Sequence, residues 1–400
     1  MRIPGILCAL VFSPSLLPAM AVAIAPPTTT TTIPSESRYG ILAGPGRRHL
    51  NGRDDRPDAY AKIKAAGVEW VSILLRWDQI ELQDPDAPSS SPPNWNGELK
   101  PEDPCQQAFC PKNASGRREC LGADGLIDEA WAAGLSIHVK VWGTPAWAKE
   151  GDCDHGAQCP PRDDVVFGRF MRKLVARYKY KVSSWGLWVE PDNADATGDG
   201  GGWSGSKQKF RDRILKPGFD AVKAVTGNAV GTARLVASPQ FLMEPPSVLD
   251  DWLKENGRFV RDFDVIGVSI IETDFADWKA AVDAYDEWAR HQCDLHLGCR
   301  LIWILAGGCA PVCRCAGCQI QCGCERHQTR NSLAYLCDKP YIRRIFWSRL
   351  HDATGGCNCP GDIRCQLGFL DSDGNPRSKY NELKGFIVDD GGCEQDRGNR

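Results

Sequence analysis

Trp185-Gly186-Leu187-Trp188-Val189-Glu190-Pro191-Asp192-Asn193 begins as an aromatic and β-branched run and then meets a carboxylate and a proline. The apolar half reads as a buried strand. Proline cannot continue its hydrogen-bonded ladder, so the strand ends at Glu190. In a parallel α/β barrel the loops after the strands converge on one mouth, and a Glu in this setting comes to lie there.

Outward from this strand, β-like and helix-like stretches alternate along almost the whole chain. Strands are expected at 39–43, 70–77, 136–142, 182–189, 229–237, 263–271, 301–305 and 345–350. Helices are expected at 57–66, 121–133, 163–178, 207–225, 248–255, 275–292, 331–336 and 378–386, the third with Val166, Phe170, Leu174 and Tyr178 on one face. Eight such units predict an α/β fold, a (β/α)8 TIM barrel over 39–388 with disulfide-rich loop insertions. No GxGxxG or GxxxxGK[ST] stretch follows the first strand, which argues against an open doubly wound sheet. The segment 78–120, rich in Pro, Ser and Cys, is too long for a plain connection and is expected to wall or lid the mouth.

Residues 1–25 carry Arg2, an apolar stretch and the small-residue run Ala21-Val22-Ala23-Ile24-Ala25, the pattern of a secretory signal peptide. A Thr/Pro-rich linker follows over 26–38, and 389–400 reads as a flexible tail. Of 19 cysteines, Cys8 lies in the leader, and the even remainder in an exported chain predicts disulfides and a secreted or extracytoplasmic location. Cys309, Cys313, Cys315, Cys318, Cys322 and Cys324 leave a second fate open, a structural zinc on the Cys315-x-x-Cys318 spacing, although export favours oxidation. Asn113-Ala114-Ser115 is a glycosylation sequon. A net charge of -3 supplies no basic field for nucleic acid, and no apolar run after the leader is long enough for a membrane span. Oligomeric state is not legible.

The residues around Glu190 have the chemistry of a sugar cleft, because aromatic faces stack on sugar rings and polar loops bond hydroxyls. Trp77, Trp142, Trp147, Trp188 and Trp347 fall near strand ends, with Trp147 and Trp188 foremost as platforms, while Asp192 and Asn193 follow Glu190 directly. Trp70, Trp131, Trp252 and Trp288 are assigned to the core. Asp78 and Glu81 are either hydroxyl binders or solvated acids. His138 is expected to be a satisfied core histidine; His155 and His351 lie in loops without metal-ligand spacing. No metal and no cofactor is called for by this pattern.

The chain resembles the barrel enzymes of the retaining glycoside hydrolases of clan A, such as families five and thirty-nine, over 39–386. The resemblance rests on Trp77-Asp78-Gln79-Ile80-Glu81, Trp142-Gly143-Thr144-Pro145-Ala146-Trp147, Trp188-Val189-Glu190-Pro191, Phe263-Asp264-Val265-Ile266-Gly267-Val268, Leu301-Ile302-Trp303-Ile304 and Gly368-Phe369-Leu370-Asp371, in that order. It implies that Glu190 is the proton donor and that a nucleophilic Glu should end the seventh strand, about 5–5.5 Å away. That place reads Trp303-Ile304-Leu305-Ala306-Gly307-Gly308, and Ala306 has no nucleophilic atom. Val189 stands where the family has Asn before the acid, and Ser72 and Ser269 where it tends to have Arg and His.

Three readings follow. The first is a secreted barrel that binds an oligo- or polysaccharide with hydrolase activity lost or strongly reduced, a pseudoenzyme. The second is an active glycoside hydrolase pairing Glu190 with a non-standard carboxylate such as Glu272, where a gap of about 6.5–9.5 Å would suit inversion. The third is a disulfide-rich surface interaction protein with a vestigial cleft.

Overall fold

The computed structural model describes residues 37–43, 56–96, 122–193, 201–227, 235–241, 245–272, 275–295, 300–309, 313–316, 319–322, 328–347, 369–370 and 375–395. Eight parallel strands close into a barrel: β1 Tyr39–Ala43, β2 Trp70–Arg76, β3 Ser136–Trp142, β4 Val182–Leu187, β5 Leu235–Phe241, β6 Val265–Glu272, β7 Leu301–Cys309 and β8 Ile342–Trp347. Each strand pairs with its neighbours in sequence, and β8 returns to β1 through Tyr39 opposite Ile345. The longer helices among the described residues are α1 Arg56–Ala65, α2 Ala123–Ala132, α3 Val166–Tyr178, α4 Lys216–Thr226, α5 Ser247–Leu253, α6 Phe275–Asp294, α7 Gln328–Cys337 and α8 Ser378–Lys384. A π-helical stretch, Arg211–Leu215, leads into α4.

Alternation along the strands sorts side chains between two cores. Val71, Ile73 and Leu75 of β2 and Ile137, Val139 and Val141 of β3 pack outward against the helices. Trp70, Ala237, Val265, Trp303, Leu305 and Phe346 fill the barrel interior. The Arg344 guanidinium lies 3.8 Å from the Trp70 ring and 4.4 Å from that of Trp303, a buried cation held between two π-faces.

The expected strands and helices are all present, with shifted ends. β5 extends to Phe241, past the expected end at 237, and β8 begins at Ile342, before the expected start at 345, since closure demands register with β4 and β7 whatever the local pattern; 228–234 and 348–350 lie outside the described residues. β4 stops at Leu187 because Trp188 takes a φ of 86°. The leader, most of the linker, the sequon, His351, the loop over 97–121, Cys318, Cys324, Asp274 and residues 396–400 lie outside the described residues. Within the cysteine-rich insertion, Cys313–Ala316 and Gln319–Cys322 form an antiparallel hairpin with Cys313 opposite Cys322.

Cys153 bonds Cys159, Cys337 bonds Cys393, and Cys293 is also disulfide-bonded. The Cys337–Cys393 bridge ties α7 to the turn Gly392–Gln395, where the Tyr39 hydroxyl lies 3.0 Å from the Cys393 sulfur. Together the bridge and the Tyr39 hydroxyl fasten this turn to α7 and to the first strand. The bridge's sequence separation of 56 closes a long loop in the unfolded chain. Cys393→Ser should lower unfolding free energy by about 2–4 kcal/mol in urea titrations; an unchanged midpoint would mean the terminal turn does not brace the barrel.

Candidate active site

Glu190 reaches the mouth through an unusual turn. Trp188 and Glu190 both have left-handed backbones, φ 86° and 46°, on either side of Val189. Such conformations cost a non-glycine residue on the order of 1–2 kcal/mol each. The Trp188 ring offsets that strain. It is fully buried, packs on Trp142, Phe167, Trp203 and Phe210, and donates its indole N–H to the Gly202 carbonyl at 2.9 Å. Backbone bonds from Trp188 N–H to Val141 O (2.8 Å) and Glu190 N–H to Gln240 O (2.6 Å) hold the turn against β3 and β5.

The half-buried Glu190 carboxyl meets an amide and faces a cation. Gln240 Nε2 donates to Glu190 Oε1 at 3.4 Å and to Ser269 Oγ at 2.7 Å, while Lys140 Nζ donates to Gln240 Oε1 at 2.5 Å. Burial pushes the Glu190 pKa above the usual carboxylate range; the Lys140 charge and a hydrogen bond from Asn193 oppose it, and Asp192 adds to the rise. Burial also pulls Lys140 down to about 8, against the opposing pull of Glu190. Lower in the interior, His138 Nδ1 lies 2.8 Å from Ser184 Oγ, and burial keeps the imidazole neutral.

Both His138 and Lys140 need the space that Gly186 leaves on β4. A Cβ there would sit 3.0 Å from His138 Nε2 and 3.2 Å from Lys140 Cγ. Above them, Arg76 makes a two-pronged ion pair with Asp78 (2.8 and 2.7 Å) and covers the Trp142 ring at 4.2 Å.

Several expected platforms are corrected by this geometry. Trp77 and Trp188 are 0 % exposed and Trp142 1 %, so none has a free face for a sugar. Trp77 is held among Phe167, Phe170 and Trp147, and Trp347 is likewise buried. Trp77 turns back onto Phe167 and Phe170 of α3, whereas Trp142 shares the inward face of β3 with Lys140 and is closed off by Arg76 and Trp188. Glu81 is neither a hydroxyl binder nor a solvated acid: it is buried, accepting from Trp77 Nε1 at 3.0 Å and Lys173 Nζ at 2.8 Å. Asp78 is committed to Arg76. Trp131, assigned to the core, is 41 % exposed.

Trp147 stays partly open, with its indole N–H on the Glu81 carbonyl at 2.7 Å. Asp192 and Asn193 are half-buried beside Glu190. Ser72 pairs with His138, four residues below the mouth, where β2 instead presents Arg76 opposite Trp142. Ser269 does lie at the mouth, opposite Ala306 in the β6–β7 register, and Glu272 ends β6 opposite Cys309.

Lys140 and Gln240 were missed by the sequence reading. Lys140 had a signal: in Ser136-Ile137-His138-Val139-Lys140-Val141-Trp142 one face is all aliphatic, so the polar face must line the interior. Gln240 had none, because it lies beyond the expected end of β5.

No protein-family model matches the chain, and no curated protein matches it in sequence. Solved structures do. A family 39 glycoside hydrolase from Bacteroides cellulosilyticus WH2 aligns at TM-score 0.56 and 14 % identity over 87 % of this chain and 62 % of its own. A glucosidase from Croceicoccus marinus aligns at 0.53 and 16 % over 86 % and 66 %. An exo-beta-1,4-mannosidase from Opitutaceae bacterium strain TAV5 aligns at 0.54 and 13 % over 90 % and 60 %. The chain spans less than two thirds of each of these relatives. At such identities the likeness is one of fold, and the fold is the parallel eight-stranded barrel.

A buried ammonium with a depressed pKa destabilises the fold where it is charged. The penalty is present below the folded value of about 8 and fades as pH rises toward the ordinary lysine value of 10.5. Lys140→Met should therefore raise unfolding free energy at pH 7 by about 1–2 kcal/mol, net of the hydrogen bond Gln240 loses. Denaturant titrations from pH 7 to 10.5 should show the gain disappearing; a loss of stability at pH 7 would refute the assignment of Lys140 as a strained charge.

Proposed function

We propose that the chain is an exported glycan-binding barrel, built like a glycoside hydrolase, whose hydrolytic activity is lost or strongly reduced. The observation that carries this reading is electrostatic. Among the described residues, the charge acting most strongly on Glu190 is the Lys140 cation, ahead of the neighbouring Asp192 carboxylate. Retaining hydrolysis needs a carboxylate on each side of the scissile bond. The β7 residue in register with Ser269 is Ala306. A protonated Glu190 remains a good hydrogen-bond donor to a sugar oxygen, and its raised pKa extends that form to higher pH than a free glutamate allows.

General acid assistance alone is worth about 10²–10⁴-fold, far below what glycoside cleavage requires. The half-buried Asp192, Asn193 and Trp147 supply polar and aromatic contacts for a sugar near the mouth. Export is supported by the disulfides and by the leader pattern.

Calorimetric titration with a panel of neutral and acidic oligosaccharides should give saturable binding, retained by Glu190→Gln within about threefold, a neutral hydrogen-bonding isostere. Turnover of aryl glycosides should be negligible, and azide or formate should rescue cleavage of an activated one by occupying the place of the missing nucleophile. Ala306→Glu alone should recover little, since Val189 and Ser269 leave the new carboxylate and the sugar hydroxyl short of partners. Robust turnover by the unmodified protein, abolished by Glu190→Gln and by Glu272→Gln, would instead establish a two-carboxylate hydrolase. Failure of every glycan to bind would favour a protein-interaction role.

A further inference from the structure

Lysines around the barrel are matched with carboxylates: Lys173 with Glu81 and Lys209 with Glu150, at 2.8 and 2.7 Å, and Lys223 with Asp264 and Lys181 with Asp128, at 2.7 and 2.6 Å. Lys140 is the exception among those that point into the interior. It is 6 % exposed, its hydrogen bond goes to the neutral Gln240 amide, and it makes no ion pair among the described residues. The amide is in turn fixed, because its Nε2 is taken up by Ser269 and Glu190. An ammonium has three donors, so two are left for a ligand.

Among the described residues no carboxylate makes an ion pair with this cation, although the Glu190 charge acts on it across Gln240. From β2, Arg76 and Asp78 neutralise each other in a two-pronged pair. From β3 itself, His138 is held neutral. After β4 come Glu190, whose pKa burial raises and whose charge pulls the Lys140 pKa upward, and Asp192. β5 and β6 contribute the neutral Gln240 and Ser269, and β6 ends in the carboxylate residue Glu272, three positions beyond Ser269. On β7, where a carboxylate could serve as counter-ion, the chain has Ala306 opposite Ser269. A buried charge without an ion-pair partner is expensive, and an anion bound beside Glu190 would offset that cost.

We infer that Lys140 is the recognition cation of an anion subsite, and that the barrel takes a glycan bearing an anionic substituent, a carboxylate or a sulfate, seated on the Lys140 ammonium beside Glu190. This rests on the reading of the mouth as a glycan site and specifies its ligand class. Gln240 holds the ammonium in place, Gly186 gives it room, and the low pKa of Lys140 is the mark of a charge that a bound anion would restore.

The test uses matched ligands: a glucuronate-containing oligosaccharide against its carboxyl-reduced form, and a sulfated oligosaccharide against its desulfated form, titrated calorimetrically at pH 6.5. At least one anionic member should bind about tenfold or more tighter than its neutral match, a difference typical of one charge-assisted contact, and which pair responds tells carboxylate from sulfate. Lys140→Met should erase that preference, while Lys140→Arg should keep much of it. In the unmodified protein the preference should fall as pH is raised from 7 to 9, a readout that does not depend on any variant folding.

Equal binding within both pairs, or a preference that persists in Lys140→Met, would overturn the inference and leave the glycan reading intact. If no oligosaccharide binds but acetate or sulfate raises the melting temperature of the unmodified protein and not of Lys140→Met, the anion subsite stands and the glycan reading fails. No response to any of these ligands would remove both.

Discussion

Closure of eight parallel strands is the constraint from which the remaining features descend. A closed sheet has no free edge, so every strand must find its register between two neighbours, and every second side chain must fit a fixed interior volume. Trp70, Trp303 and Phe346 occupy the lower part of that volume, with Arg344 between two of the rings. The upper part is left to shorter or polar groups, Ser184, His138, Lys140, Gln240 and Ser269. The barrel is thus a packed core below and a hydrogen-bonded floor above, and the mouth inherits its chemistry from that floor.

Glu190 depends on the same constraint at one remove. β4 ends where Trp188 leaves the ladder and buries its ring among four aromatic neighbours, and two left-handed residues carry the chain back over the barrel. Local strain is accepted because the buried ring and the bonds to β3 and β5 over-determine the turn. The carboxyl is then delivered to an amide that also grips Lys140. An acid with a raised pKa and a base with a lowered one share a single glutamine, so the protonation of either bears on the other.

Much of this was legible in the chain itself. The strand that leads to Glu190, the alternation of strands and helices, and the absence of a phosphate-binding glycine pattern were enough to specify the barrel, because hydrophobic period and chain punctuation are local properties. The resemblance to clan A hydrolases was also legible through ordered short stretches, and solved structures of that kind share the barrel. The aromatic platforms were misjudged for a physical reason. Proximity in sequence to a strand's end does not say whether a ring turns toward the mouth or back between sheet and helices, and Trp77, Trp142 and Trp188 are closed off in the structure.

What the amino-acid sequence determined by itself was the class of fold, the acid at the end of the fourth strand and the alanine late in the seventh, each a matter of residue identity and local period. What only the tertiary structure decided was the partnership of Lys140, Gln240, Ser269 and Glu190, drawn from four strands and their loops. Those residues meet because closure sets the stagger between strands. Stagger is a property of the whole ring of hydrogen bonds, and no single segment of the chain encodes it.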